Sequence, residues 1–270
     1  MRWIFLVFFI SGILFAFPRS DLRPGGILVV PKECEQSFFL GKPGILAERD
    51  GALYRLFAIP LSTKPGRYTL VSRCPDGNRT RSVTIRFFPY KEQRLHIQNR
   101  RQVTPNAEDL RRIRAEAVRK RKAKAFRSKE PARADFVRPV QGAVSSPFGL
   151  RRFFNGQPRA PHRGLDIAAP EGTPVKAAAD GTVVEAGNFF FSGNLLFLEH
   201  GQGLQTLYGH LRRIAVKPGQ RVKRGQVVGY VGHTGRATGP HLHFGVWMQG
   251  CYVDPTLFLP KVKGDGAKNH

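Results

Sequence analysis

The stretch TGPHLHFGVWM, residues 238–248, decides the fold of the C-terminal half of this 270-residue chain. Turn-forming glycine and proline lead into a run of mainly apolar residues. On a β-strand, side chains two positions apart point to the same face of the sheet. His241 and His243 therefore share one face, whereas Leu242 and Phe244 face the core. The stretch predicts a strand that is buried on one side and presents two imidazoles on the other.

Similar runs surround this strand between residues 136 and 260. They are TPVKAAADGTVVEAG (173–187), NLLFLEHGQGLQTLYGHL (194–211) and GQVVGYVG (225–232). Glycines between the runs allow the positive φ that tight hairpin turns need. Helical periodicity is nearly absent, so we predict an all-β domain over residues 136–260, followed by a tail over 261–270.

The N-terminal part, residues 21–98, has the same texture. Its short β-type runs are ILVV (27–30), ALYRLFAI (52–59), YTLVS (68–72) and VTIRFF (83–88), separated by Pro-Gly and Asp-Gly turn signals. The pattern predicts a small all-β sandwich. We find no cluster of chemically reactive residues in it, and we interpret its lone His96 as a surface residue.

A strongly basic segment, residues 99–135, lies between these parts. Residues 105–109 (PNAED) have the character of a helix start with acidic residues in the first turn. Leu110, Ile113 and Ala117 form a narrow apolar stripe on the predicted helix. We favour a solvated linker helix. The alternative is an electrostatic contact with anionic wall polymers or lipid headgroups.

Charge and the N-terminus restrict the possible partners. The chain has 44 lysines and arginines against 19 aspartates and glutamates, a formal charge of +25, which attracts anionic polymers. Residues 3–17 carry no charge, and this run is shorter than the ~20 residues of a membrane-spanning helix. We predict a signal peptide over residues 1–20, with an uncleaved anchor as the alternative. Export makes the cell envelope the anionic partner, and we expect no nucleic-acid partner.

Three cysteines remain for an oxidising compartment. Cys34 and Cys74 fall in the same predicted domain and could pair, which would leave Cys251 as the odd thiol. None has the spacing of a zinc finger.

Three histidine motifs in the C-terminal domain carry the chemistry. They are His162-Arg163-Gly164-Leu165-Asp166, Tyr208-Gly209-His210-Leu211 and the His241/His243 strand. Imidazole and carboxylate suit Zn²⁺, and a catalytic zinc site keeps three protein ligands and one open position. From the pattern alone, both strand histidines are ligands, or one is a ligand while the other acts on the water. We interpret His200, His233 and His270 as ordinary polar residues.

The order of these motifs resembles the lysostaphin-type (M23) metallopeptidases, also called the LytM-domain family. The likeness covers residues 136–260 and includes SSPFGLRRFFNGQPRAPHRGLDIAAP (145–170) and GHTGRATGPHLHFGVW (232–247). The resemblance implies an antiparallel β-sheet domain with a groove and one Zn²⁺ per chain. It implies that His162, Asp166 and His243 are the zinc ligands and that His210 and His241 are the catalytic pair. It also places Asn155 near the groove.

The resemblance further implies hydrolysis of peptide cross-links in bacterial peptidoglycan. Residues 25–31 and 59–68 are similar to the small domain before the peptidase in some Gram-negative envelope members, which points to the periplasm and to the D-Ala–diaminopimelate bond. The alternatives are a non-catalytic relative that activates another wall hydrolase and a structural wall-binding protein. All five site residues are present, which favours an active enzyme.

A last hypothesis concerns latency. The residues before 136 show no chemistry of their own, so the N-terminal domain or the linker could lie across the groove and block it.

Overall fold

The computed structural model describes residues 15–261 and confirms the all-β class. Most elements are antiparallel strands, and within the described range the chain forms a single α-helix. Residues 1–14 of the predicted signal peptide and residues 262–270 of the predicted tail lie outside the described residues. No helix in the described range is both long and apolar enough to cross a bilayer.

The N-terminal part forms two packed sheets. One has the strand order β2-β6-β5 and the other β4-β3-β7-β8, and apolar side chains from both enclose a small core. The strands of this part are β1 (Phe15–Ala16), β2 (Ile27–Pro31), β3 (Gln36–Phe39), β4 (Lys42–Pro43), β5 (Ile45–Arg49), β6 (Ala52–Ala58), β7 (Gly66–Cys74), β8 (Gly77–Ile85) and β9 (Glu92–Leu95).

A disulfide joins Cys34, which precedes β3, to Cys74 at the end of β7. It ties the segment before β3 to the turn end of the hairpin that β7 and β8 form, where Cys74 pairs with Gly77. Cys251 is a free, half-buried thiol. Burial raises the pKa of this thiol to about 11, so it stays protonated and unreactive at neutral pH.

The C-terminal part is built on an eight-stranded sheet. Seven strands follow the order β11-β14-β22-β18-β17-β16-β20, and β23 pairs with β22. The remaining elements, in chain order, are a 3-10 turn (Arg100–Gln102), α1 (Ala107–Ala125), β10 (Phe136–Val137), β11 (Val144–Ser146), β12 (Arg151–Phe154), β13 (Gln157–Pro158), β14 (Leu165–Ala168), β15 (Pro174–Lys176), β16 (Gly181–Phe189), β17 (Gly193–Glu199), β18 (Gln205–Leu211), β19 (Arg213–Ile214), β20 (Arg221–Val222), β21 (Val227–Tyr230), β22 (His241–Met248), β23 (Cys251–Val253) and a 3-10 turn (Pro255–Leu257).

The sheet β2-β6-β5 is buried on both faces and joins the two parts. Along β6, the side chains of Leu56 and Ala58 belong to the large core, which they share with buried side chains of the C-terminal sheet. Phe57 lies between them in sequence and enters the small N-terminal core instead. Because successive strand residues point to opposite faces, one strand contributes to two cores. The N-terminal part is therefore packed continuously against the C-terminal part.

Helix α1 begins as the sequence predicts. Asn106 is the N-cap, and its side chain and that of Asp109 form a reciprocal capping box, which satisfies backbone donors of the first turn. The apolar stripe of the sequence is not the buried side: Leu110 is 42% exposed and Ala117 is also exposed. The helix instead buries Asp109, Glu116 and Ala123, which lie two turns apart on one side.

The helix is docked on the C-terminal sheet, so it is not solvated on all sides as the sequence interpretation expects. The Glu116 carboxylate accepts hydrogen bonds from the buried backbone N–H of Phe190 at 2.9 Å and from Arg112 at 2.8 Å. Lys124 lies over the rings of Trp247 and Tyr252, at 4.2 Å and 4.4 Å from their centroids. The surface under the helix presents the Phe190 N–H, which needs an acceptor, and the faces of two aromatic rings. Charged side chains therefore suit this contact better than aliphatic ones.

Replacing Glu116 by alanine tests this docking. Glu116→Ala leaves the buried Phe190 N–H without its acceptor, and we expect the free energy of unfolding to fall by about 1–3 kcal/mol. Glu108→Ala, at an exposed glutamate of the same helix, should cost less. Urea denaturation measures both changes, and equal losses for the two variants would contradict the docking role.

The buried ring of His200 predicts a pH dependence of stability. Its Nδ1 lies 2.8 Å from the Asp180 carbonyl, its Nε2 lies 2.7 Å from the Thr206 hydroxyl, and burial lowers its pKa from 6.5 to about 4. Below pH 6.5 the His200 imidazole takes up a proton in the unfolded chain, whereas in the folded chain it stays neutral until the pH nears 4. Stability should therefore fall as the pH falls from 6.5 towards 4, by up to about 1.4 kcal/mol per pH unit from this group.

The measurement is denaturation of wild type and His200→Gln at several pH values. The variant is expected to be less stable at neutral pH but to show a shallower decline between pH 6.5 and 4. Parallel pH profiles would show that His200 does not carry the effect.

Candidate metal centre

Three adjacent strands bring the histidine motifs together. Asp166 on β14 lies directly opposite His243 on β22, and Gly209 on β18 lies opposite His243 from the other side. His162 comes from the segment before β14, where its backbone N–H donates to the Leu150 carbonyl at 2.9 Å. The expected loop that enters a strand is what the structure shows.

The three side chains predicted as zinc ligands converge on one point. Asp166 Oδ1 lies 3.0 Å from His162 Nε2 and 2.7 Å from His243 Nδ1, and the two nitrogens are 3.2 Å apart. Tetrahedral zinc with bonds of about 2.0–2.1 Å separates its ligand atoms by about 3.3 Å. The triangle is thus close to the size that one metal ion requires.

The backbone orients these rings. The Pro147 carbonyl lies 2.7 Å from His162 Nδ1, and this contact holds the ring so that Nε2 faces Asp166. Gly164 allows His243 to approach, because a Cβ at this position would lie 2.6 Å from the ring carbon Cε1. A larger residue between His162 and Asp166 would push the His243 ring out of the triangle.

His210 and His241 lie beside the triangle with their rings in contact, 4.8 Å apart between centroids and tilted by 50° to each other. His210 has a left-handed φ of 61°, and its Nδ1 lies 2.7 Å from the Thr234 carbonyl. His241 Nδ1 lies 2.8 Å from the Gly239 carbonyl, and its Nε2 lies 3.9 Å from Asp166 Oδ1. In both rings Nδ1 faces a backbone carbonyl, so Nε2 is the nitrogen that can accept a proton when the ring is neutral.

The electrostatics of the cluster suit a cation. Burial lowers the pKa of His162 to about 4 and that of His210 to about 3, so both rings are neutral at pH 7. Burial alone would raise the pKa of Asp166, but its contacts with His162 and His243 outweigh this and hold it well below its usual value. Neutral imidazoles and an ionised carboxylate are the protonation states that metal binding requires. The residues present therefore fit a bound metal.

Residues 95–103, here called the bridging segment, contact two loops of the C-terminal part. In the first loop, Asn155 exchanges two hydrogen bonds with the backbone of Ile97, at 2.8 Å and 3.0 Å. In the second loop, Arg236 donates to the Gln102 carbonyl at 3.2 Å. Asn155, which the resemblance places near the groove, therefore holds the bridging segment through its side chain.

Other residues have structural positions. Tyr208 is fully buried, and its hydroxyl accepts from the Ala178 N–H at 2.9 Å, so it packs in the core. His233 lies 3.0 Å from Glu171, and His96 is exposed. His270 lies outside the described residues.

Two residues at the site are absent from the sequence interpretation. Arg152 Nη2 donates to Asp166 Oδ2 at 2.8 Å, and Gln93 Oε1 accepts from Arg152 Nε at 2.9 Å. Arg152 stands within the family-like stretch, but nothing in its spacing marks it. Gln93 comes from the N-terminal part, and only long-range strand pairing brings it here.

A mainly antiparallel sheet that presents this donor set defines the class of mononuclear metalloproteins, and comparison with known proteins narrows the class. The family model for peptidase family M23 matches residues 160–255. A crystal structure described as a peptidase M23 from Pseudomonas aeruginosa shares 37% identity and a TM-score of 0.71, covering 88% of this chain and 95% of that one. The chain belongs to peptidase family M23, and membership in this metallopeptidase family implies a bound metal.

The chain is also similar to curated relatives over less than half of its length. The chain is 46% identical over 123 residues to the peptidoglycan DD-endopeptidase ShyC of Vibrio cholerae serotype O1, a match that covers 44% of this chain and 28% of ShyC. It is 44% identical over 122 residues to the DD-carboxypeptidase/endopeptidase Mpg of Neisseria meningitidis serogroup B, covering 45% of this chain and 28% of Mpg. The chain therefore matches less than a third of the length of these relatives.

Metal analysis tests the triangle. We expect purified wild-type protein to retain a divalent metal and His162→Ala to lose it, because the variant keeps two of the three converging donors. His233→Ala, at a histidine that is 59% exposed and pairs with Glu171 rather than with the triangle, is the control and should retain the metal. Inductively coupled plasma mass spectrometry gives the content, and an unchanged content in His162→Ala would reject this residue as a ligand.

Proposed function

We propose that this protein is a zinc metallo-endopeptidase that hydrolyses peptide cross-links of bacterial peptidoglycan, with one Zn²⁺ per chain. The observation that carries the proposal is the triangle of Asp166 Oδ1, His162 Nε2 and His243 Nδ1 beside the imidazoles of His210 and His241. Membership in family M23 and the similarity to ShyC and Mpg support the choice of substrate.

The three converging side chains would hold the metal in this proposal. His162, Asp166 and His243 supply two neutral nitrogens and one anionic oxygen, the borderline-hard donor set that suits zinc. When bound, zinc supplies Lewis acidity and makes a water molecule acidic enough to lose a proton near neutral pH. The sheet holds the donors in place, since two of the three lie on paired strands.

His210 and His241 would move the proton. Each ring is anchored through Nδ1 to a backbone carbonyl, which leaves Nε2 as a proton acceptor on the open side of the triangle. The ring that takes the proton from the attacking water can return it to the leaving amine. The protonated ring can also donate a hydrogen bond to the developing oxyanion. Both rings satisfy these requirements, so the division of roles stays open.

The bond and the cellular location are further parts of the proposal. The DD-specificity in the names of ShyC and Mpg favours the D-Ala–diaminopimelate cross-link. The formal charge of +25 favours contact with anionic envelope polymers, and the apolar N-terminus favours export to the periplasm of a Gram-negative bacterium. We propose the organisation of residues 21–98 as the N-terminal domain, 99–135 as the linker and 136–260 as the peptidase domain.

Digestion of peptidoglycan sacculi tests the activity. Wild-type protein should release uncrosslinked muropeptides and leave the glycan strands intact. His241→Ala should lower the rate by about 10²–10⁴-fold, the usual contribution of a positioned general base, while His233→Ala should digest like wild type.

Mass spectrometry of the products separates the alternatives. Cut glycan or a lost stem peptide would identify a different class of hydrolase. If wild type and His241→Ala both leave sacculi unchanged, the non-catalytic activator becomes the better account.

A further inference from the structure

We propose that Arg152 is a positioning residue for Asp166 and that Gln93, from the N-terminal part of the chain, holds Arg152 in place. The N-terminal part then completes the metal site. This inference rests on the proposed function only in assuming that the triangle binds zinc.

The two carboxylate oxygens of Asp166 have different partners. Oδ1 faces His162 and His243, at 3.0 Å and 2.7 Å. Oδ2 accepts a hydrogen bond from Arg152 Nη2 at 2.8 Å. With Oδ2 occupied, the carboxylate can offer a single oxygen to a metal and cannot rotate freely. Arg152 therefore sets both the number and the direction of the donor atoms that Asp166 supplies.

Arg152 is itself fixed. Its side chain is only 17% exposed, and its Nε donates to Gln93 Oε1 at 2.9 Å. Its Nη2 also donates to the hydroxyl of Ser146 at 3.0 Å. A planar guanidinium satisfies these acceptors at once, which a lysine ammonium on a flexible stem cannot do with the same geometry. Arg152 thus connects the Asp166 carboxylate to Gln93 and Ser146.

Gln93 reaches Arg152 because of a strand pairing. Strand β9 pairs in parallel with β12, and the register places Gln93 opposite Arg152. The two residues are 59 positions apart in sequence. β9 follows directly on the N-terminal sheets, so a residue of the N-terminal part reaches the metal ligand through one intermediate side chain.

The same pairing offers a matched control. Glu92 lies opposite Arg151, one register position away, and the two form an ion pair at 3.4 Å. Arg151 is 64% exposed, compared with 17% for Arg152. Changes at Glu92 and Arg151 therefore disturb the same strand pair without touching Asp166.

The experiment measures zinc affinity in the full-length chain, by competition of the metal-free protein with a fluorescent chelator. Arg152→Gln should raise the zinc Kd by about 10- to 100-fold, the usual effect of losing a partner of a metal ligand. Gln93→Ala should raise it by less, because the hydroxyl of Ser146 still holds Arg152. Arg152→Lys should recover part of the loss of Arg152→Gln, and Glu92→Gln and Arg151→Gln should bind like wild type.

A double variant shows whether Gln93 acts through Arg152. If it does, Gln93→Ala combined with Arg152→Gln binds zinc no more weakly than Arg152→Gln alone. Additive losses would show that Gln93 acts by another route and would overturn that part of the inference. Thermal unfolding of the metal-free proteins separates a change in affinity from a change in folding, and if Arg152→Gln does not fold, Gln93→Ala and Arg152→Lys decide.

The failures are distinguishable. If wild type binds no zinc, the proposed function fails, and the inference fails with it. If wild type binds zinc and both Arg152→Gln and Gln93→Ala bind it equally well, the proposed function stands and the positioning role is rejected.

Discussion

The pairing of β14 with β22 is the constraint on which the site depends. Its register sets Asp166 opposite His243, and the same register places Leu165 opposite Phe244 and Ile167 opposite Leu242 in the core. A slip of one residue would send the polar pair into the core and the apolar side chains into the groove, because strand side chains alternate with a period of two. Burial of the apolar face therefore fixes the geometry of the polar face. The fold stabilises the site without needing the metal to specify the register.

Local patterns account for much of what the sequence predicts correctly. The alternation in HLHF fixes which histidines share a face, and the glycines and prolines around His162 indicate a loop that enters a strand. Both are properties of neighbours in sequence, so no knowledge of tertiary contacts is needed. The start of helix α1 belongs to the same category, since the capping box of Asn106 and Asp109 is completed within four residues.

The features that the sequence does not predict depend on distant partners. The docking of α1 was not predicted because Glu116 accepts from a backbone N–H 74 positions away, and no helical periodicity reveals that donor. Nothing in the sequence distinguishes Arg152 and Gln93 from the other polar residues, because only the pairing of β9 with β12 brings them together. In the same way, the strands of the sheet β2-β6-β5 look like ordinary sandwich strands, yet they separate two cores. A single sequence shows which face is apolar and leaves open what covers it.

The position of the bridging segment also affects how latency can be studied. This segment contacts the loops that carry Asn155 and Arg236, and β9, with Gln93, stands at its N-terminal end. If the latency hypothesis holds, deleting the N-terminal part would open the groove and at the same time withdraw Gln93, the residue that holds Arg152. The two effects have opposite signs in the rate of a truncated chain, so an unchanged rate would be the cancellation of a gain in access and a loss in zinc occupancy. Access and metal support can be separated only in a chain that keeps β9 paired while the contacts of Gln102 are removed.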